Sequence, residues 1–369
     1  MRFVLTGGGT GGHIYPALAI GREIALREPD SECLYIGTGR GLESQIVPKQ
    51  GIRFEAIDIT GFRRSLSWEN VRTVMRFVQG VRRSKELLRA FKPDAVIGTG
   101  GYVCGPVVYA ASRLGIPTLI HEQNVVPGLT NKFLSRYASA VAVSFAESKP
   151  YFRRAPDVIH AGNPCATTVR GASRERGLGS LGLPKDTPLV VIVGGSRGAQ
   201  ALNEAMVAMM PLLDRLPGVH FLYVTGERYY EETLARIERQ RAGGSSRVQV
   251  VPYVHNMPDV LAAAKLVVSR AGASALAEIT SLGIPSILVP SPNVTGNHQE
   301  PNARSLAEAG AAVMILERDL TGETLMAAIS GIMNDRGRWT GMAQASRRLG
   351  MPEAASAIYE QLIRIVRNR

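Results

Sequence analysis

Short apolar runs recur along the chain, each closed by glycine or polar residues and followed by a longer stretch with apolar positions at helical spacing. Runs at 2–6, 33–36, 54–57, 95–98, 118–120 and 140–143 predict one series of strands. Runs at 189–193, 221–224, 248–251, 266–268, 287–289 and 313–315 predict a second. Strands that are apolar throughout and alternate with helices lie in parallel sheets covered on both faces. A Pro/Gly-rich stretch near Gly162-Asn163-Pro164 separates the two series. The pattern therefore predicts an α/β chain of two doubly wound, Rossmann-like domains, residues 1–163 and 164–351, facing a cleft. Helical spacing near the end predicts a last helix, within 352–369; that its basic end packs back on the first domain is an expectation that spacing does not itself supply.

Composition narrows the class. At 369 residues, with 45% hydrophobic and 20% charged residues, the chain suits two soluble globular domains rather than a disordered segment. Its longest apolar stretch, 102–112, falls short of the ~20 residues of a membrane span, and the N-terminus lacks a signal-peptide core. Cys33, Cys104 and Cys165 have no metal-ligand spacing, so reduced, buried thiols of a cytosolic protein are expected. The net charge of +12 is uneven: residues 61–92 hold nine Lys or Arg against two acids. Phe62, Arg63, Arg64, Trp68, Arg72, Met75, Arg76 and Phe77 mix cations with large apolar side chains. A solvated helix face, an anionic membrane surface and nucleic acid all fit a basic segment, although no nucleic-acid-binding motif accompanies it.

The first strand runs into Gly7-Gly8-Gly9-Thr10-Gly11-Gly12-His13, and a helix follows. Glycines between strand and helix let free amides and the positive end of the helix dipole approach an anion. A P-loop would place Lys at position 13 with Ser or Thr next, where this chain has His13 and Ile14. Gly7, Gly9 and Gly12 also spell a dinucleotide fingerprint, but the second strand ends in Gly37-Thr38-Gly39 without the ribose-binding acid. A related turn, Gly194-Gly195-Ser196-Arg197-Gly198, opens the second domain. Further polar clusters fall at strand ends: Gly100-Gly101-Tyr102, His121-Glu122-Gln123-Asn124, the segment from Arg270 to Glu278, and His298-Gln299 with Asn302-Ala303.

In order and spacing these motifs closely resemble those of the MurG glycosyltransferases over essentially the full length. The resemblance implies the GT-B fold. It implies an inverting, metal-independent transfer of N-acetylglucosamine from UDP-N-acetylglucosamine to the muramyl 4-hydroxyl of lipid I, giving lipid II for peptidoglycan. No cofactor is implied, and no Asp-x-Asp-like pair is present to hold a metal. It also implies a donor site of Thr10, Gly11, Gly12, Asn124, Ser196, Val254, Ala273, Ser274, Ala275, Leu276, Glu278, His298 and Gln299. In it Glu278 takes the ribose hydroxyls, backbone near Val254 reads uracil, and His298 and Gln299 grip the sugar. The acceptor diphosphate falls to Gly8, Gly9, Thr10, Gly11, Gly12 and His13, with Gly100, Gly101 and Tyr102 beside them.

His13 is the first candidate for the general base, because imidazole titrates in the right range; orienting the loop or binding phosphate is its other reading. Glu122 is the alternative base, or a residue that only fixes its loop. Where the family reads Gly-Asn-Pro-Val-Arg, this chain has Gly162-Asn163-Pro164-Cys165-Ala166, so Arg170 is the expected substitute cation for the donor diphosphate. A lipid-anchored acceptor favours the membrane reading of residues 62–77, and with it a peripheral place on the cytoplasmic face of the membrane. A UDP-sugar epimerase of the same architecture, a nicotinamide oxidoreductase and a basic nucleic-acid binder are the rival readings.

Overall fold

The computed structural model describes residues 1–60, 68–195, 198–240 and 247–368. Phe62, Arg63, Arg64 and Ser196 lie outside the described residues, as do the side chains of Trp68 and Arg72. The chain forms two compact units, one of Met1–Thr167 with Glu353–Arg369 and the other of Thr168–Pro352.

In the first unit, β1 (Arg2–Thr6), β2 (Glu32–Thr38), β3 (Arg53–Ile57), β4 (Ala95–Gly98), β5 (Thr118–Glu122), β6 (Ala140–Val143) and β7 (Val158–His160) form one parallel sheet. Their order is β3-β2-β1-β4-β5-β6-β7. Between them run α1 (Gly11–Arg27), α2 (Glu43–Ile46), α3 (Trp68–Phe91), α4 (Cys104–Arg113) and α5 (Leu129–Leu134). Alternate residues of each strand feed opposite faces, as the strand period of two requires. Phe3 and Leu5 join Ile14 and Ile20 of α1, while Val4 joins Val107 and Val108 of α4.

The second unit contains α6 (Arg174–Ser180), β8 (Leu189–Val193), α7 (Gln200–Met209), β9 (His220–Val224), α8 (Tyr230–Gln240), β10 (Val248–Val251), α9 (Met257–Ala263), β11 (Ala264–Ser269), α10 (Ala273–Leu282), β12 (Ser286–Leu288), α11 (Gln299–Glu308), β13 (Ala312–Met314), α12 (Gly322–Met333) and α13 (Arg336–Leu349). Its parallel sheet has the order β10-β9-β8-β11-β12-β13. The last helix, α14 (Ala354–Arg367), belongs to the first unit, where Ile358 and Leu362 enter the cluster of Phe3, Leu5 and Ile14. Ser356 Oγ donates to Glu23 Oε1 at 2.6 Å, and Arg27 Nη2 donates to Ser356 Oγ at 3.0 Å.

The two doubly wound sheets are those the strand pattern predicts. Three details differ. β7 escapes the pattern because three half-buried or exposed edge residues carry no apolar run. The boundary between units falls after Thr167, inside the turn Pro164–Val169, rather than after residue 163. And α1 begins at Gly11, so His13 stands in its first turn instead of ahead of it. In each sheet the strand order reverses beside its first strand, at the carboxyl ends of β1 and β4, and of β8 and β11, which is where open α/β sheets bind ligands as a class.

Candidate functional site

The turn between β1 and α1 is held from several sides. Tyr35 Oη donates to Gly7 O at 2.6 Å, Gly8 N to Gly100 O at 3.3 Å, and Gly9 N to Glu43 Oε2 at 3.2 Å. Thr99 Oγ1, after β4, donates to His13 O at 2.7 Å. Gly101 has φ +81°, and a Cβ there would stand 2.2 Å from Gly8 O, so the two glycine turns meet at a distance only glycine permits. The Tyr102 ring lies against Gly9. Among the described residues the amides of Thr10, Gly11 and Gly12 meet no acceptor, and they open the first turn of α1.

His13 Nδ1 lies 3.0 Å from Gly8 O and 3.3 Å from Thr10 Oγ1. A carbonyl oxygen only accepts, so Nδ1 carries the hydrogen, and Nε2 of the neutral ring carries the lone pair. Nε2 is on the side of Gly100, where a Cβ would approach it to 3.1 Å.

The end of β5 organises a second loop. His121 is fully buried, with Nε2 2.9 Å from Gly162 O and Nδ1 3.0 Å from Gln123 Nε2; burial pushes its pKa down to about 4, so it is a neutral core histidine. The Glu122 carboxylate accepts from Asn124 N at 2.9 Å, Asn124 Nδ2 at 3.3 Å, Gly128 N at 3.1 Å and Asn131 Nδ2 at 2.8 Å. Four donors meet its two oxygens, so the carboxylate fixes the loop that carries Asn124, one of the two roles expected of it.

In the second unit, α10 follows β11 through Gly272. Among the described residues the amides of Ala273, Ser274 and Ala275 have no acceptor, and the buried Ser274 Oγ has no partner. The Leu276 amide is given to Gly272 O at 3.0 Å and its side chain is buried. Glu278 lies further along the same helix; Thr168 Oγ1 donates to it at 3.2 Å, while burial raises its carboxyl pKa to about 7. Gln299 Oε1 accepts from Ser291 N at 2.9 Å, which fixes the orientation of its amide. His298 directly precedes α11, after Gly296 and Asn297, both with positive φ. Val254 stands in the loop after β10 with its side chain buried. Arg270 pairs inward with Glu317 and donates to Val289 O at 3.2 Å. Arg170 is exposed, two residues beyond Thr168, and Ala166 is buried. No group of three His, Cys, Asp or Glu side chains is placed to hold a metal ion among the described residues.

The basic segment resolves into a face. On α3, Met75 is 58% exposed and Val74 and Val78 are exposed beside it, whereas Arg76 Nη1 turns to Thr60 Oγ1 at 3.3 Å. Phe77 is half-buried, its ring 6.2 Å from those of both Tyr109 and Phe133, so it is the seat of an aromatic cluster and not a free wedge. Leu129, at 75%, together with Phe133 and Tyr137, extends the exposed apolar face from α5 onward. Sequence reading missed these three, as it missed Glu43, because each becomes relevant only through a partner distant in the chain. No helix among the described residues is long and apolar enough to cross a membrane.

Known proteins resemble the chain from end to end. Residues 3–143 match the glycosyltransferase family 28 N-terminal domain, and residues 189–358 match its C-terminal domain. A UDP-N-acetylglucosamine--N-acetylmuramyl-(pentapeptide) pyrophosphoryl-undecaprenol N-acetylglucosamine transferase of Halalkalibacterium halodurans is 54% identical, over 97% of this chain and 98% of the relative. A Listeria monocytogenes transferase of the same name is 51% identical over the whole of both chains. Among solved structures, MurG of Acinetobacter baumannii superposes with a TM-score of 0.80 at 30% identity, covering 98% of this chain and 99% of its own. A UDP-GlcNAc 2-epimerase from Neisseria meningitidis has a TM-score of 0.67 at 14% identity, over 99% of this chain and 100% of its own, a likeness of fold alone.

Proposed function

Because the chain belongs to glycosyltransferase family 28, in its MurG group, we infer that it is a hexosyltransferase moving N-acetylglucosamine from UDP-N-acetylglucosamine to lipid I, giving lipid II for peptidoglycan. The donor binds on the second unit. Its diphosphate takes the amides of Ala273, Ser274 and Ala275 and the Ser274 hydroxyl, where the positive end of α10 stabilises the charge that develops as UDP leaves. Glu278 receives the ribose hydroxyls, backbone at Val254 the uracil, and His298, Gln299 and Asn124 the sugar. Ser196, which follows β8 in the sequence, contributes as well. Arg170 supplies the cation that Ala166 does not, and the bond from Thr168 to Glu278 supports this by tying its stretch to the donor helix.

The acceptor diphosphate binds on the first unit, at the amides of Thr10, Gly11 and Gly12, flanked by Gly8, Gly9, Gly100, Gly101 and Tyr102. The muramyl 4-hydroxyl attacks the anomeric carbon in line: the new C–O bond forms as the bond to the UDP oxygen breaks, UDP leaves with the electron pair, and the hydroxyl proton passes to His13 Nε2. The observation that carries this assignment is the His13 ring, with Nδ1–H held by Gly8 O and Nε2 turned toward Gly100, in the same turn as the three uncommitted amides.

The exposed face of α3 and α5 meets the cytoplasmic leaflet: Val74, Met75, Val78 and Leu129 enter the interface and the surrounding cations meet anionic headgroups. The deciding experiment incubates labelled UDP-N-acetylglucosamine with a short-chain lipid I analogue. Label in the lipid with UDP released is expected. An isomerised nucleotide sugar formed without acceptor would instead establish the epimerase reading.

A further inference from the structure

Glu23 and Glu43 are buried carboxylates outside that chemistry, and of the two Glu23 is paired, with Arg27. Glu43, at the start of α2, is 0% exposed. Its Oε1 accepts from Thr38 N at 3.1 Å and Thr38 Oγ1 at 2.6 Å, and its Oε2 accepts from Gly9 N at 3.2 Å. Glycine lets the backbone close around it, since a Cβ at Gly8 would stand 2.4 Å from Oε1 and one at Gly41 2.3 Å from either oxygen. Among the described residues no cation pairs with it. A buried anion beneath an anion-binding turn is unfavourable for the ligand by charge alone, so its place there calls for another role.

Gly9 N and Gly8 O belong to the same peptide group. Glu43 accepts from its N–H while His13 Nδ1 meets its C=O, so carboxylate and imidazole grip opposite ends of one rigid plane. Holding the N–H toward Glu43 aims the carbonyl at His13, and a negative charge on the N–H side polarises the carbonyl into a stronger acceptor. A stronger acceptor at Nδ1–H makes Nε2 more basic and keeps the ring in one tautomer.

We propose that Glu43 is a positioning residue for the reaction, acting through the Gly8–Gly9 peptide to orient His13 and raise the basicity of its Nε2. This rests on the reading of His13 as the base. The proton taken from the acceptor hydroxyl stays on His13; none passes to Glu43.

The test is the pH profile of kcat with a short-chain lipid I analogue. Glu43→Gln removes the charge, and kcat is expected to fall about tenfold while its acidic limb moves to lower pH by roughly half a unit, with the KM for UDP-N-acetylglucosamine unchanged. Thr38→Val keeps the side-chain shape but deletes a donor to Oε1, leaving more charge for Gly9 N–H. Its acidic limb is expected to move the other way, to higher pH, a shift that mere loosening of the fold would not produce. Should Glu43→Gln fail to fold, Thr38→Val decides alone. His13→Ala run beside them separates the two readings: activity retained there overturns the base assignment, whereas activity lost there with an unmoved limb in the Glu43 and Thr38 variants overturns only the role of Glu43.

Discussion

At the scale of single residues, roles follow from which lone pairs and hydrogens are already committed. His13 and Glu122 are both plausible bases on paper. Their hydrogen bonds differ: Gly8 O holds the hydrogen on Nδ1 of His13, while four donors surround the Glu122 carboxylate, which favours His13. His13→Ala is therefore expected to lower kcat by about 10²- to 10⁴-fold and leave the KM for UDP-N-acetylglucosamine within twofold, as steady-state kinetics will show. Glu278 leads to a pH prediction. Its carboxyl, raised to about 7 by burial, is protonated in much of the free protein at neutral pH, whereas the ribose hydroxyls proposed to donate to it would favour the ionised form. Donor binding should release a proton, so affinity rises with pH through 7 and then levels, by about tenfold between pH 6 and 8. Calorimetric titration at several pH values will show this slope, and Glu278→Gln is expected to flatten it.

At the scale of elements, the legibility of the chain depends on whether one segment carries its own signal. The strand of residues 189–193 and the turns on either side of α10 are readable because apolar runs and glycines mark strand-to-helix passages wherever they occur. The amphipathic face of α3 was readable only in outline. Phe77 looked as exposed as Met75 until Tyr109 and Phe133 supplied the rings that cover it, and Leu129 gained meaning only beside α3. Replacing Met75 and Leu129 together by Asp is expected to reduce sedimentation with anionic liposomes at least fivefold. Turnover of a water-soluble acceptor should stay unchanged, since neither side chain supports the core. Binding of the unaltered protein to those liposomes should itself weaken as salt rises.

At the scale of the whole molecule, the first unit depends on the last helix of the chain. Ile358 and Leu362 are fully buried among Phe3, Leu5 and Ile14, and each contributes about 1.5–3 kcal/mol by burial. A chain ended at residue 352 is expected to lose the calorimetric transition of the first unit, while UDP-N-acetylglucosamine still raises the unfolding temperature of the second.

The amino-acid sequence by itself determined the two parallel-sheet units, the glycine turns at their first strands and the family of the chain, because period, turn chemistry and motif spacing are properties of contiguous residues. Only the tertiary structure decided which amides of the first turn remain for a ligand, that Glu122 anchors a loop, and that Glu43 and His13 share one peptide group. Hydrogen-bond partners are chosen by proximity after folding, and Gly8, Glu43 and Gly100 lie far apart along the chain until β1, β2 and β4 bring their ends together.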